Sequence, residues 1–166
     1  MAAQERVVYL NGKIIPESQA AIPIRDKGFI YGDAVFDVAR TFNGKIFKGK
    51  EHVDRLFISC KYLRLDPGMS KQQMLDLTEE VAERNAPLLR PQEDYWVTQR
   101  VTRGADPIYP GDDVTPTVLI ECKPLPLAFR ARLFKDGISM MTPSTPRVPP
   151  VYMSPRAKTH NYLNLV

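Results

Sequence analysis

The sequence predicts an α+β fold on three observations. Two Asn-Gly pairs sit inside runs of β-branched and aromatic residues, two helix-period segments lie after them, and two further strand runs come next. Residues 7–10 and 13–15 flank Asn11-Gly12, a pair suited to the two positive-φ positions of a tight turn, so the chain opens with a hairpin. Residues 35–42 and 45–48 repeat the pattern about Asn43-Gly44. Over residues 50–64, Val53, Leu56, Phe57, Cys60 and Leu63 recur at three- and four-residue steps and form one apolar helix face, which Asp66-Pro67-Gly68 stops. Ser70 and Gln73 read as a capping box opening a second helix that carries Met74, Leu77 and Val81. Residues 95–101 and 117–122 are strand candidates on either side of a turn-rich loop, 104–116. Helices inserted between antiparallel hairpins indicate α+β, not the alternating βαβ pattern of a parallel sheet.

The character changes after Cys122, where seven of the 15 prolines lie, so helix is not expected there. Residues 138–141 read as one short strand and the rest as an extended connection to Lys158; a domain boundary falls near residues 123–130. The net charge of +4 is spread along the chain, not gathered into the basic stripe that tracks a nucleic-acid backbone, and suits a small anionic ligand equally. Cys60 and Cys122 stand alone, without CxxC or His neighbours, and read as buried thiols; neither a disulfide framework nor a metal site is expected. No apolar run is long enough to span a membrane, and MAAQERVVYL has no signal-peptide core, so a cytoplasmic setting is expected.

Two short segments carry the chemistry. One is Lys158-Thr-His-Asn-Tyr-Leu-Asn-Leu-Val166 and the other Glu51-His-Val-Asp-Arg-Leu56. With the NGK hairpin, GDAVFDVARTFNGKIF and VTRGADP, they keep an order and spacing that resembles the class IV, fold-type IV aminotransferases from about residue 7 to residue 166. That family includes branched-chain and D-amino-acid aminotransferases and aminodeoxychorismate lyase. The resemblance implies a small α+β domain over 1–122, a linker over 123–137 and the start of a larger cofactor domain over 138–166. It also implies that the chain is the N-terminal part of such an enzyme, with the carboxylate facing the cofactor's ring nitrogen beyond Val166.

In the family, the lysine matching Lys158 forms an imine with pyridoxal 5'-phosphate and the arginine matching Arg55 holds the cofactor phosphate. Both residue types suit those tasks: a neutral lysine amine is a nucleophile and proton carrier, and a guanidinium donates two parallel charge-assisted hydrogen bonds. Tyr162, four residues after Lys158, shares its face if a helix begins there and then reaches the cofactor as well.

Substrate binding is expected from Tyr31, Phe36, Val38 and Arg40, with Tyr95. Strand alternation puts Phe36, Val38 and Arg40 on one face and Asp37, Ala39 and Thr41 on the other, and one of these faces lines the pocket. Phe36-Asp-Val-Ala-Arg40 keeps the aromatic and arginine of the branched-chain FEGIR-like segment but puts Val38 in place of glycine. Val101-Thr-Arg-Gly104 is similar to D-amino-acid enzymes, yet their following carboxylate trap is absent. Arg100, Arg103 and Tyr109 are further candidates for a carboxylate, whereas His52 and His160 are read as structural.

The expected activity is amino transfer from a hydrophobic, branched-chain amino acid to 2-oxoglutarate by a homodimer acting on small amino and keto acids. The alternatives are a D-amino-acid or (R)-amine transaminase, a lyase resembling aminodeoxychorismate lyase, and a cofactor-binding fragment without activity.

Overall fold

The computed structural model describes residues 5–109 and 114–166; residues 110–113, part of the expected loop at 104–116, lie outside the described residues. Strands β1 (Val7–Leu10), β2 (Lys13–Pro16), β3 (Ala34–Phe42), β4 (Lys45–Ile46), β5 (Asp94–Thr102) and β6 (Val118–Leu125) form one sheet. Their order is β2-β1-β6-β5-β3-β4, and every neighbouring pair is antiparallel. The helices are α1 (Lys27–Tyr31), α2 (Gly49–Leu63), α3 (Lys71–Asn85) and α4 (Leu127–Asp136). The mixed α+β class predicted from the sequence is the observed one.

Both hairpins turn where expected, with positive φ at Asn11, Gly12, Asn43 and Gly44. The capping box of α3 is complete: Gln73 N donates to Ser70 Oγ at 3.2 Å, and Ser70 N donates to Gln73 Oε1 at 2.8 Å.

Helices α2 and α3 cover one face of the sheet. Val53, Leu56 and Cys60 from α2 and Met74 and Val81 from α3 pack against Val35, Val97, Val101 and Ile120. Each large apolar side chain removed from water in this way contributes about 1.5–3 kcal/mol. The thiols of Cys60 and Cys122 share this core, where burial pushes both up to about 12 and leaves them inert. The opposite face carries rows set by register: Phe36 beside Arg100 and Leu119, Val38 beside Thr98 and Glu121, Arg40 beside Trp96 and Lys123.

Three elements differ from expectation. Helix α4 occupies residues read as proline-rich connection, because Pro124 and Pro126 precede it and the ten residues from Leu127 contain no proline. Residues 138–141 are not a strand; Ile138, Met140 and Met141 are exposed. Helix α1 is additional. Asp26 caps its N-terminus through Gly28 N at 2.7 Å, and Gly32, with φ +68°, closes its C-terminus.

Asp26 also ties this helix to the sheet, since its Oδ2 accepts from Thr102 Oγ1 at 2.8 Å and Thr117 Oγ1 at 2.7 Å. The approach is so close that a Cβ on Gly28 would lie 2.6 Å from Thr102 Cγ2. Asp26 is fully buried, so Asp26→Ala leaves two hydroxyls and one amide without their acceptor. The expected loss of stability is about 1–3 kcal/mol, read as a lower urea midpoint at unchanged slope.

Candidate active site

Strand β3 builds the site because its alternating side chains serve opposite faces. Asp37 points under α2 and is fully buried, whereas Phe36 points to the other side. A buried carboxylate needs compensation, and one stripe of α2 supplies it. Arg55 Nε and Nη2 donate to Asp37 Oδ2 and Oδ1 at 2.6 and 2.8 Å, and His52 Nδ1 lies 2.8 Å from Oδ1. Burial alone raises the Asp37 carboxyl, but these hydrogen bonds outweigh it and hold the group below its usual range. The same pair raises the Arg55 guanidinium against the opposing effect of burial.

One turn further along α2, Ser59 Oγ donates to the Arg55 carbonyl at 3.1 Å and accepts from Lys158 N at 3.0 Å. The segment carrying Lys158 is thereby docked along the edge of β3. Phe36 N donates to the Lys158 carbonyl at 3.0 Å, Thr159 bridges Val35, and His160 N donates to the Ala34 carbonyl at 2.9 Å.

The Lys158 amine then lies 4.2 Å from the Phe36 ring centre and 3.3 Å from Tyr162 Oη. The rings of Tyr162 and His160 meet Phe36 edge-on at 5.4 and 5.3 Å. Lys158, Tyr162 and Arg55 line one cavity of about 270 Å³, and the Arg55 side chain is 53% exposed.

The sequence and the fold are similar to those of known proteins. The family model described as "Amino-transferase class IV" matches residues 34–166. The chain belongs to the class IV aminotransferases. A relative from Methanocaldococcus jannaschii, provisionally named a branched-chain-amino-acid aminotransferase, is 37% identical over 161 residues, covering 96% of this chain and 53% of its own. A D-alanine aminotransferase from Staphylococcus haemolyticus is 26% identical over 119 residues, covering 70% of this chain and 40% of its own.

Among solved structures, the branched-chain amino acid aminotransferase of T.th., complexed with N-(5'-phosphopyridoxyl)-L-glutamate, superimposes with a TM-score of 0.79. It is 25% identical, covering 97% of this chain and 52% of that one. The chain thus spans about half the length of the first curated relative it matches.

Class IV aminotransferases are pyridoxal-phosphate enzymes, and the residues here fit that group. Two nitrogens of Arg55 are engaged by Asp37 while the half-exposed guanidinium still borders the cavity, a cationic donor suited to a phosphate. A primary amine borders the same cavity.

Of the residues expected at the site, Lys158, Arg55, Tyr162 and Phe36 come together. No helix begins at Lys158; the chain turns into a short 3-10 helix at Leu163–Leu165, and the lysine and tyrosine meet through a loop. Val38 shares the face of Phe36 one row on.

Arg40 is engaged elsewhere: its Nη2 lies 3.4 Å from Asp94 Oδ2 and its guanidinium stacks 3.8 Å from the Phe42 ring centre. Tyr95 is on the helix-covered face, buried, and donates to the Asn85 carbonyl at 3.0 Å. Its odd-numbered place in β5, beside Thr41, puts it in the core and not beside Phe36. Tyr31 ends α1, with an exposed side chain, and Tyr109 is likewise exposed.

Arg103 serves the scaffold. It grips Asp33 at 2.5 and 3.1 Å and donates to the Leu63 carbonyl at 2.8 Å, capping α2. Sequence reasoning missed Asp37 and Ser59; their signal is the i, i+3, i+7 stripe His52, Arg55, Ser59, polar on a helix whose other face is core. Among the described residues, no cluster of three or more His, Cys, Asp or Glu forms a metal site.

His160 is half-buried, and burial first, then the charge of Arg100, pushes its imidazole down to about 4. The unfolded chain therefore takes up a proton that the folded chain refuses, and stability from this residue is present above pH 6.5 and is lost as pH falls towards 4. Urea unfolding should show a rise in stability as pH climbs across that window, and His160→Gln should flatten it.

Proposed function

We propose that this chain supplies the cofactor lysine, the phosphate arginine and the substrate face of a pyridoxal-phosphate-dependent transaminase. On this reading it moves an amino group from a hydrophobic, branched-chain amino acid to 2-oxoglutarate. The observation that carries the reading is the shared cavity of Lys158 and Arg55, with the lysine amine held between the Phe36 ring and the Tyr162 hydroxyl.

When bound, the cofactor supplies an electron sink for the carbanion formed at the substrate's α-carbon. The chain's own residues do the rest. Lys158 Nζ would hold the cofactor covalently and, once displaced by the substrate amine, would carry the proton to and from the α-carbon. Arg55 grips the phosphate, and Asp37 holds Arg55 in place. Tyr162 Oη hydrogen-bonds the lysine amine, and Phe36 walls the amine from water on one side. Together with Val38, Phe36 offers an apolar surface to a branched side chain.

The same reading divides the chain into a small domain (1–122), a connection (123–137) and the start of a cofactor domain (138–166). It also carries a homodimer in the cytoplasm; the exposed Ile24, Phe29 and Tyr31 on and near α1 support an apolar subunit contact. A D-amino-acid donor is the second reading, favoured by the D-alanine aminotransferase relative. Adding single L- and D-amino acids to the holoenzyme and following its imine absorbance separates the two.

Two outcomes test the assignment of residues. Borohydride reduction of the holoenzyme should leave a pyridoxyl label on Lys158, and label on Lys45 or Lys123 overturns it. Asp37→Asn should weaken pyridoxal phosphate binding roughly tenfold or more, the equivalent of about 1.5–3 kcal/mol for one charge-assisted contact, and change the affinity for phosphate-free pyridoxal much less. Equal losses for both ligands would refute the anchor.

A further inference from the structure

The face that carries Phe36 holds one more cation whose place in the fold the transaminase chemistry has not used. Arg100 stands opposite Phe36 on β5. It borders two cavities at once: one of about 210 Å³ with Phe36, His160 and Tyr162, and one of about 250 Å³ with the apolar side chains of Ile22, Phe29 and Leu119. Phe36 and Tyr162 are the two rings that hold the Lys158 amine. Arg100 thus lies between the reacting amine and an apolar pocket.

Its present partner is Glu121, one row along on β6, which takes Nη1 in a short contact. The two side chains are 31% and 28% exposed, so the pair is not sealed from solvent or from a ligand. The pair is only part-buried, and a guanidinium has further N–H donors to offer a second carboxylate. Arg40 has no such freedom, because Asp94 and Phe42 hold it two rows away.

We infer that Arg100 receives a carboxylate of the substrate, and that Glu121 is its internal stand-in, released or shared when an acidic substrate arrives. The device lets one pocket take both an apolar and an acidic partner. With an apolar side chain in place, Glu121 neutralises Arg100 and no bare cation faces the chain of methyl groups; with a dicarboxylate, the substrate's own oxygens replace it. His160, kept uncharged by its burial, adds no second cation to this neighbourhood.

The inference rests on the proposed transaminase reading, and its test keeps the two apart. The full-length holoenzyme and its Arg100→Gln, Arg100→Lys and Glu121→Gln variants are assayed with 2-oxoglutarate and with pyruvate as acceptors. Glutarate, which cannot react, is titrated calorimetrically. Arg100→Gln should raise KM for 2-oxoglutarate and Kd for glutarate roughly tenfold or more while kcat and the cofactor absorbance are kept, and Arg100→Lys should fall between.

Glu121→Gln should do the opposite, lowering both constants severalfold, because it removes the competing carboxylate. A rise confined to 2-oxoglutarate assigns the distal carboxylate to Arg100, and a rise shared with pyruvate assigns the carboxylate next to the keto group. If the Arg100 and Glu121 variants shift the constants in the same direction, or only kcat falls, the pair is structural and the inference is overturned. Glutarate binding that depends on Arg100 in a protein without acceptor-dependent turnover would uphold this site and overturn the transaminase reading instead.

Discussion

The arrangement of the site depends on one buried charge. Asp37 sits on a buried sheet face beside Gln99 and among Val35, Ala39, Val97 and Val101, where an unpaired carboxylate would cost several kcal/mol. Its side-chain compensation comes from α2, through a two-pronged contact with Arg55 and a third contact with His52. Meeting both requirements sets the rotation of α2 about its axis, since residues 52, 55 and 59 share one stripe of a helix. Ser59 then faces the edge of β3 and receives the amide of Lys158.

A strand with two faces converts that constraint into chemistry. The core-side carboxylate positions Arg55, and the ring one residue earlier meets the Lys158 amine on the other side of the sheet. Neighbouring rows extend this surface to Arg100, Thr98 and Trp96, where Arg100 and Trp96 stand half-open. The stiff part of the site is thus buried in the packing of α2 on β3, while the half-open part stands on the outer rows. Asp26 and Arg103 act at the edges of this frame, the first pinning α1 to the end of β5 and to Thr117 beside β6, the second fastening the end of α2 to Asp33.

Much of the scaffold was legible because local rules and tertiary needs agreed. Asn-Gly turns, the Ser70–Gln73 capping box and the Val53–Leu56–Cys60 stripe name their structures from a few residues each. Where the reading was wrong, a local signal had been weighed at the wrong position: Pro126 stands before α4 and not inside it, and α1 is only five residues long, too short for periodicity to reveal. Residues 138–141 have strand-like composition, but no strand among the described residues pairs with them.

By itself the sequence determined the fold class, the hairpins, the two long helices and the family, and hence Lys158 and Arg55 as the residues to examine. It could also say that alternate residues of β3 part company, because a period of two needs no tertiary knowledge. Which face meets the helices, and so why Asp37 is buried while Phe36 meets the lysine, was decided only when α2 packed onto the sheet. The same holds for the arginines. Arg40, Arg100 and Arg103 are alike in sequence, and only their neighbours distinguish them: Asp94 and Phe42 engage the first, Asp33 and the end of α2 the third. Arg100 alone of the three borders the cavity that Phe36 and Tyr162 share.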